Sequence, residues 1–175
     1  MDIQQTLFTQ IMQLVQSSSR ISIVTHINPD GDAIGSSLAW AGVLRQLNKT
    51  VTVITPNNCP DNLQWMQGYS EILKFDTQKQ EVLDCLLHTE LFFCLDFNNL
   101  SRLEELGESI LKSTAPHVLI DHHPNPECFA KVAISVTEAS STSELVYHTI
   151  IGCGYEQYLN TQIAESLYTG IITDT

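Results

Sequence analysis

Ile21-Ser22-Ile23-Val24-Thr25-His26-Ile27-Asn28-Pro29-Asp30-Gly31-Asp32 joins a short apolar run to a cluster of acid and imidazole groups. The β-branched run from Ile21 to Thr25 predicts a buried strand, with His26-x-x-x-Asp30-x-Asp32 at its end. A helix is predicted from Ala33 to Leu47, where Gly35, Ser36, Ser37, Ala39, Ala41 and Gly42 allow close packing on the sheet. Val51 to Thr55 reads as the next strand. Strand, helix and strand within about 30 residues form a βαβ unit with a right-handed crossover. The expected fold class is α/β, a mostly parallel sheet flanked by helices, Rossmann-like.

Working outward, Ile3, Leu7, Ile11, Leu14 and Val15 mark an amphipathic helix over residues 2–17. Residues 60–67 predict a short helix with Trp65 and Met66 in the core, and residues 81–88 a further helix. Leu91 to Leu95 predicts a strand that delivers Asp96. Residues 103–112 read as helix, and His117 to Ile120 as a strand leading into Asp121-His122-His123, closed by Pro124-Asn125-Pro126. Lys131 to Val136 alternates as an edge strand would. Ser141 to Ile151 is helical, opened by the capping box Ser141-x-x-Glu144 and stopped by Gly152 and Gly154. A last helix is predicted from Thr161 to Ile172.

Predicted strands thus end in Asp30 and Asp32, in Asp96 and in Asp121. Parallel strands bring their carboxyl ends to one sheet edge, where α/β proteins bind ligands. Carboxylates gathered there raise each other's pKa, and bound cations are the simplest way to keep them ionised. Oxygen donors with a few imidazoles suit Mn²⁺, Mg²⁺ or similar hard cations. Gly31 permits a tight turn and close backbone approach between Asp30 and Asp32. His122 and His123, being adjacent, point in different directions, and spacing alone does not say which of them is a ligand.

With 8 Lys+Arg against 20 Asp+Glu, the net charge of −12 argues against a long duplex nucleic acid as partner. The five cysteines form no C-x-x-C pair and read as reduced, cytosolic thiols. Neither a signal peptide nor a membrane span is expected, so the expected location is cytoplasmic. Ser140, Ser141 and Thr142 open a predicted helix, which is a natural phosphate site as well as a cap. Arg102 follows Asp96 closely enough to reach a phosphate. His88, His117 and His148 are expected to be structural, and Glu104-Glu105 to be a solvated helix face.

His26-x-x-x-Asp30-x-Asp32, Asp96, Asp121-His122-His123 and Asp174 occur in the order of the four metal motifs of the DHH phosphoesterase superfamily, which the chain resembles. The text of Thr25–Ala33, Leu95-Asp96, Ile120–His123, Ala139–Thr142 and Thr169–Thr175 looks like the bacterial nanoRNase/pAp phosphatase branch. The resemblance implies a two-metal site, usually manganese, with Mg²⁺ or Co²⁺ as alternatives. His26 and Asp30 would hold the first metal, Asp32, His122 and Asp174 the second, and Asp96 would bridge them. Asp121 would orient His122 or lie near the metals, and His123 would contact the substrate phosphate. It further implies two-metal hydroxide attack on short oligoribonucleotides and on 3'-phosphoadenosine 5'-phosphate, with Ser141, Thr142 and Arg102 as candidate substrate contacts. A homodimer is allowed. Residues 1–175 would be the DHH catalytic domain cut short, without the second, substrate-binding domain that follows it in that branch. Alternatives are cyclic dinucleotide, single-strand DNA or pyrophosphate hydrolysis, or a non-catalytic metal-binding fragment.

Overall fold

A computed structural model describes residues 3–175. Strands β1 (Arg20–Val24), β2 (Thr50–Thr55), β3 (Leu73–Lys74), β4 (Leu91–Leu95), β5 (His117–Asp121) and β6 (Val132–Ser135) form one sheet in the order β3-β2-β1-β4-β5-β6. Every neighbouring pair is parallel. The α/β expectation holds, and the order reverses between β1 and β4. This reversal is a topological switch point, where the connections leave in opposite directions and open a crevice at the carboxyl edge. The motif after β1 and Asp96 after β4 therefore sit side by side.

Helices cover both faces, which explains why the strands are apolar runs rather than alternating ones. Ile23, Val53, Phe93, Leu95 and Ile120 face a core shared with α1 (Gln5–Ser17), α2 (Gly31–Gln46) and α5 (Thr142–Gly152). Val24, Ile54, Phe92, Cys94 and Leu119 face the other core, with α3 (Lys79–His88) and α4 (Glu105–Leu111). Successive residues of β4 thus alternate between two apolar layers. The N-terminal helix begins at Gln5, and residue 2 of its expected span lies outside the described residues.

The glycines of α2 have a different partner from the one expected. A Cβ at Gly35 would lie 2.5 Å from the Ser166 carbonyl oxygen, and one at Gly42 would lie 2.9 Å from Ile163. The small residues admit the last helix, α6 (Thr161–Asp174), against α2. Hence α2 is buried nearly throughout, between the sheet on one side and α5 and α6 on the other.

Other differences have local causes. Residues 61–63 form only a 3₁₀ turn, a second 3₁₀ turn covers residues 69–71, and Leu63, Met66 and Tyr69 turn inward three residues apart. That spacing matches three residues per turn, and Trp65 falls off it and is 58% exposed, so it is not core. The predicted helix over 103–112 divides into a 3₁₀ turn (Leu100–Leu103) and α4, with Glu104 at φ 50° between them. Strand β3 has only two residues, too few to show a period. Among the described residues, no helix is long and apolar enough to cross a membrane.

Candidate metal centre

Asp30 is the N-cap of α2: its Oδ1 accepts from the Asp32 and Ala33 amides at 3.0 Å each. Its other oxygen, Oδ2, lies 4.0 Å from His26 Nε2. The His26 ring is buried, and its Nδ1 donates to the Ile27 carbonyl at 2.7 Å, because a carbonyl can only accept. That contact occupies Nδ1 and leaves Nε2 facing Asp96 Oδ2 at 3.3 Å.

Asp96 occupies the turn leaving β4 at φ 66°, a left-handed conformation that Asp tolerates better than most residues. Its carboxylate faces both directions. Oδ2 meets His26, whereas Oδ1 lies 3.6 Å from His122 Nε2 and 4.0 Å from His123 Nδ1. His122 Nε2 also lies 3.3 Å from Asp174 Oδ2 and 4.0 Å from Asp32 Oδ2. Its Nδ1 donates to the Ala139 carbonyl at 3.4 Å. Two donor groups result, His26/Asp30/Asp96 and Asp32/His122/Asp174, and Asp96 Oδ1 adjoins the second through His122. A third overlapping group joins Asp96, His122 and His123.

Asp174 arrives from the last turn of α6 rather than from a loop beyond the helix. Its approach depends on glycines: a Cβ at Gly31 would lie 2.3 Å from Thr173 Oγ1, and one at Gly170 1.9 Å from Ser143 Oγ. Gly31 thus makes room for α6 over the start of α2.

Asp121 acts on a different neighbour from the one expected. Its Oδ1 accepts from His123 Nδ1 at 2.7 Å and its Oδ2 from the His123 amide at 3.0 Å. It therefore orients His123, and the Ala139 carbonyl orients His122. With Nδ1 held by Asp121, the ring of His123 is half-exposed.

The start of α5 is turned inward. Ser141 caps it by accepting from the Glu144 amide at 3.0 Å, and Glu144 accepts from the Ser140 amide and hydroxyl at 2.7 and 2.8 Å. The Thr142 and Ser143 amides donate to Asp32 Oδ2 and Oδ1 at 2.6 and 2.8 Å, and the Thr142 hydroxyl donates to Asp96 Oδ1 at 2.8 Å. Ser141 and Thr142 are fully buried, so these donors serve the carboxylates rather than an open phosphate site. Nothing in their sequence announces that partnership across the fold. Arg102 is exposed, and its carbonyl accepts the Ile27 amide at 2.9 Å, which ties its loop to the His26 loop. His88, His117, His148 and Cys128 join none of the potential metal groups among the described residues.

Burial and the Asp96 charge push Asp32 up to about 7, against the hydrogen bonds from Ser143 and Thr142. Burial also raises Asp174 and Asp121, the imidazoles opposing it. Burial works against Asp96 too, but His26, Thr142 and His123 outweigh it and hold the carboxylate below its usual range. His26 is disfavoured as a cation by burial, yet Asp96, the Ile27 carbonyl and Asp30 raise it above the usual imidazole range. Crowded carboxylates sharing two imidazoles whose Nε2 atoms face inward are the donor chemistry of a hard divalent cation pair.

The model of the DHH family, N-terminal domain, matches residues 20–171. The chain belongs to the DHH family. This DHH chain is 40% identical to an exopolyphosphatase-related protein from Bacteroides fragilis of known crystal structure, with a TM-score of 0.97. That match covers 99% of this chain and 51% of the other. It is 25% identical to the bifunctional oligoribonuclease and PAP phosphatase NrnA of Bacillus subtilis, over 95% of this chain and 50% of that protein. It is 29% identical to the cyclic-di-AMP phosphodiesterase GdpP of the same organism, over 94% of this chain and 26% of that one. The DHH chain thus spans about half the length of NrnA and about a quarter of GdpP.

Proposed function

We propose that this chain is the catalytic domain of a phosphoesterase that uses two divalent cations, Mn²⁺ foremost, on short oligoribonucleotides and on 3'-phosphoadenosine 5'-phosphate. The observation that carries the reading is Asp96, whose two oxygens face the two donor groups separately. His26, Asp30 and Asp96 would hold one cation, and Asp32, His122, Asp174 and Asp96 the other. When bound, such a pair supplies a nucleophile at neutral pH and counters charge on the phosphoryl oxygens.

The chain's own groups divide the remaining work. Hydrogen bonds at Nδ1 hold the two ligand imidazoles with Nε2 inward, which removes reorganisation from the binding step. His123, half-exposed and gripped at Nδ1 by Asp121, would meet a phosphate oxygen through Nε2. Arg102, on the loop beside His26, would add a cation at the rim of an otherwise acidic site. The NrnA likeness supports the substrates named, and the GdpP likeness makes cyclic-di-AMP the comparison to run beside them.

The test is turnover by the Mn²⁺-loaded chain. The expected result is release of 5'-nucleotides from a di- or trinucleotide and of phosphate from 3'-phosphoadenosine 5'-phosphate, both abolished by Asp96→Ala at saturating Mn²⁺. Faster cleavage of cyclic-di-AMP would refute the substrate assignment. Metal binding with no turnover of any phosphoester would refute the enzyme reading, and near-normal turnover by Asp96→Ala would refute the ligand assignment.

A further inference from the structure

The first turn of α5 contacts carboxylates of both donor groups through a single residue. The Thr142 amide donates to Asp32 Oδ2 at 2.6 Å, and its hydroxyl donates to Asp96 Oδ1 at 2.8 Å. A threonine hydroxyl has one proton, and here it goes to Asp96. All three residues are buried, so no water competes for these bonds. The adjacent Ser143 amide takes the second oxygen of Asp32 at 2.8 Å. The Asp32 carboxylate therefore sits across the N-terminal end of α5, where the helix's free amides and dipole favour negative charge.

Asp96 needs such a restraint. It leaves β4 in a left-handed conformation, and its two oxygens must stay aimed at different imidazoles, Oδ2 at His26 and Oδ1 at His122. Rotation about the bond to the carboxylate would exchange them. The Thr142 hydroxyl marks one oxygen and so fixes which faces each group. Ser141 and Glu144 in turn hold the helix start.

We infer that Thr142 is a positioning residue for the cation pair: its hydroxyl orients the shared ligand Asp96 while its amide holds Asp32, so one residue couples the geometry of both sites. This rests on the two-cation reading proposed above.

The experiment compares wild type, Thr142→Val and Thr142→Ser as metal-stripped chains titrated with Mn²⁺. Calorimetry gives stoichiometry and affinity, and electron paramagnetic resonance detects spin coupling between neighbouring Mn²⁺ ions. Valine keeps the shape and the amide but loses the hydroxyl. It is expected to weaken Mn²⁺ binding at both sites by about 10- to 100-fold, as loss of a ligand's hydrogen-bond partner does, and to reduce the coupled signal. Serine keeps the hydroxyl and is expected to bind within about threefold of wild type, on the same principle. If the valine variant does not fold, Thr142→Ala replaces it. Val or Ala binding two Mn²⁺ like wild type overturns the role of Thr142 and leaves the metal centre standing. A serine variant as poor as valine overturns it too, because packing rather than the hydroxyl would be responsible. A defect confined to one site overturns the coupling. A wild-type chain that binds no Mn²⁺ overturns the two-cation reading, and this inference with it.

Discussion

Replacing Gly170 by alanine sets two physical effects against each other at the site. Gly170 lies inside α6, where alanine is favoured over glycine by about 0.8–1.0 kcal/mol. On propensity alone the change should stabilise. The surroundings oppose it, because the new Cβ would lie 1.9 Å from Ser143 Oγ, 2.7 Å from Ser143 Cβ and 2.8 Å from Asp32 Oδ1. Ser143 and Asp32 are fully buried, so neither can swing into solvent. Overpacking of this kind costs about 1–3 kcal/mol, and contacts this short belong in the upper half of that range. Subtracting the propensity gain leaves Gly170→Ala about 1–2 kcal/mol less stable. For a chain of this length that lowers Tm by roughly 2–8 °C. Urea unfolding of the metal-free chain measures it, and Mn²⁺ affinity should fall as well, since Asp32 must move. Adding Ser143→Ala removes the atom at 1.9 Å and should recover part of the loss. A Gly170→Ala chain as stable as wild type, or more so, would refute the close approach of α5 and α6 on which this geometry depends.

The Asp32 carboxyl, pushed up to about 7 from 3.8, makes metal and proton competitors. Metal-free stability from this group is fully present below pH 3.8 and lost as pH rises through about 7, so the rise in Tm on adding Mn²⁺ should be larger at pH 8 than at pH 6. Equal rises at both would contradict the competition. His123→Ala should bind Mn²⁺ within a few-fold of wild type yet lose about 100-fold or more in kcat, the usual consequence of removing a group that stabilises transition-state charge; titration calorimetry beside turnover separates the two, and unchanged kcat would remove His123 from the reaction. His117 stacks on Phe92 with ring centroids 5.0 Å apart, Phe129 meets its edge, and burial lowers its pKa. A depressed imidazole contributes stability that is present above its unfolded value of 6.5 and lost as pH falls. His117→Phe should therefore flatten the loss of stability between pH 7 and 5, and an unchanged slope would show that this ring does not carry it.

Much of the site was legible because its chemistry is local. His26, Asp30 and Asp32 belong to one loop and helix start, and their spacing follows from backbone geometry within that loop. The apolar runs of β1, β4 and β5 announced buried parallel strands, and strand ends announced where carboxylates would gather. Local pattern failed where the period was short or irregular. Trp65 and Met66 both read as core by hydrophobicity, but the chain leaving the 3₁₀ turn over residues 61–63 turns only Met66 inward. Asp121 reads as a partner of His122, but a carboxylate reaches the amide and ring two residues ahead more readily.

By itself, then, the sequence determined most of the element types, the parallel sheet and which acid and imidazole groups gather at its edge, because these depend on side-chain chemistry and periods within a few turns of chain. Only the tertiary structure decided their partnerships. The reversal of strand order between β1 and β4 placed Asp96 beside His26, and glycines on α2 and α6 brought Asp174 within 3.3 Å of His122. The same packing turned the start of α5, which reads as a phosphate cradle, onto Asp32 and Asp96. A helix N-terminus binds whichever negative group reaches it, and which group arrives depends on how helices far apart in sequence pack together.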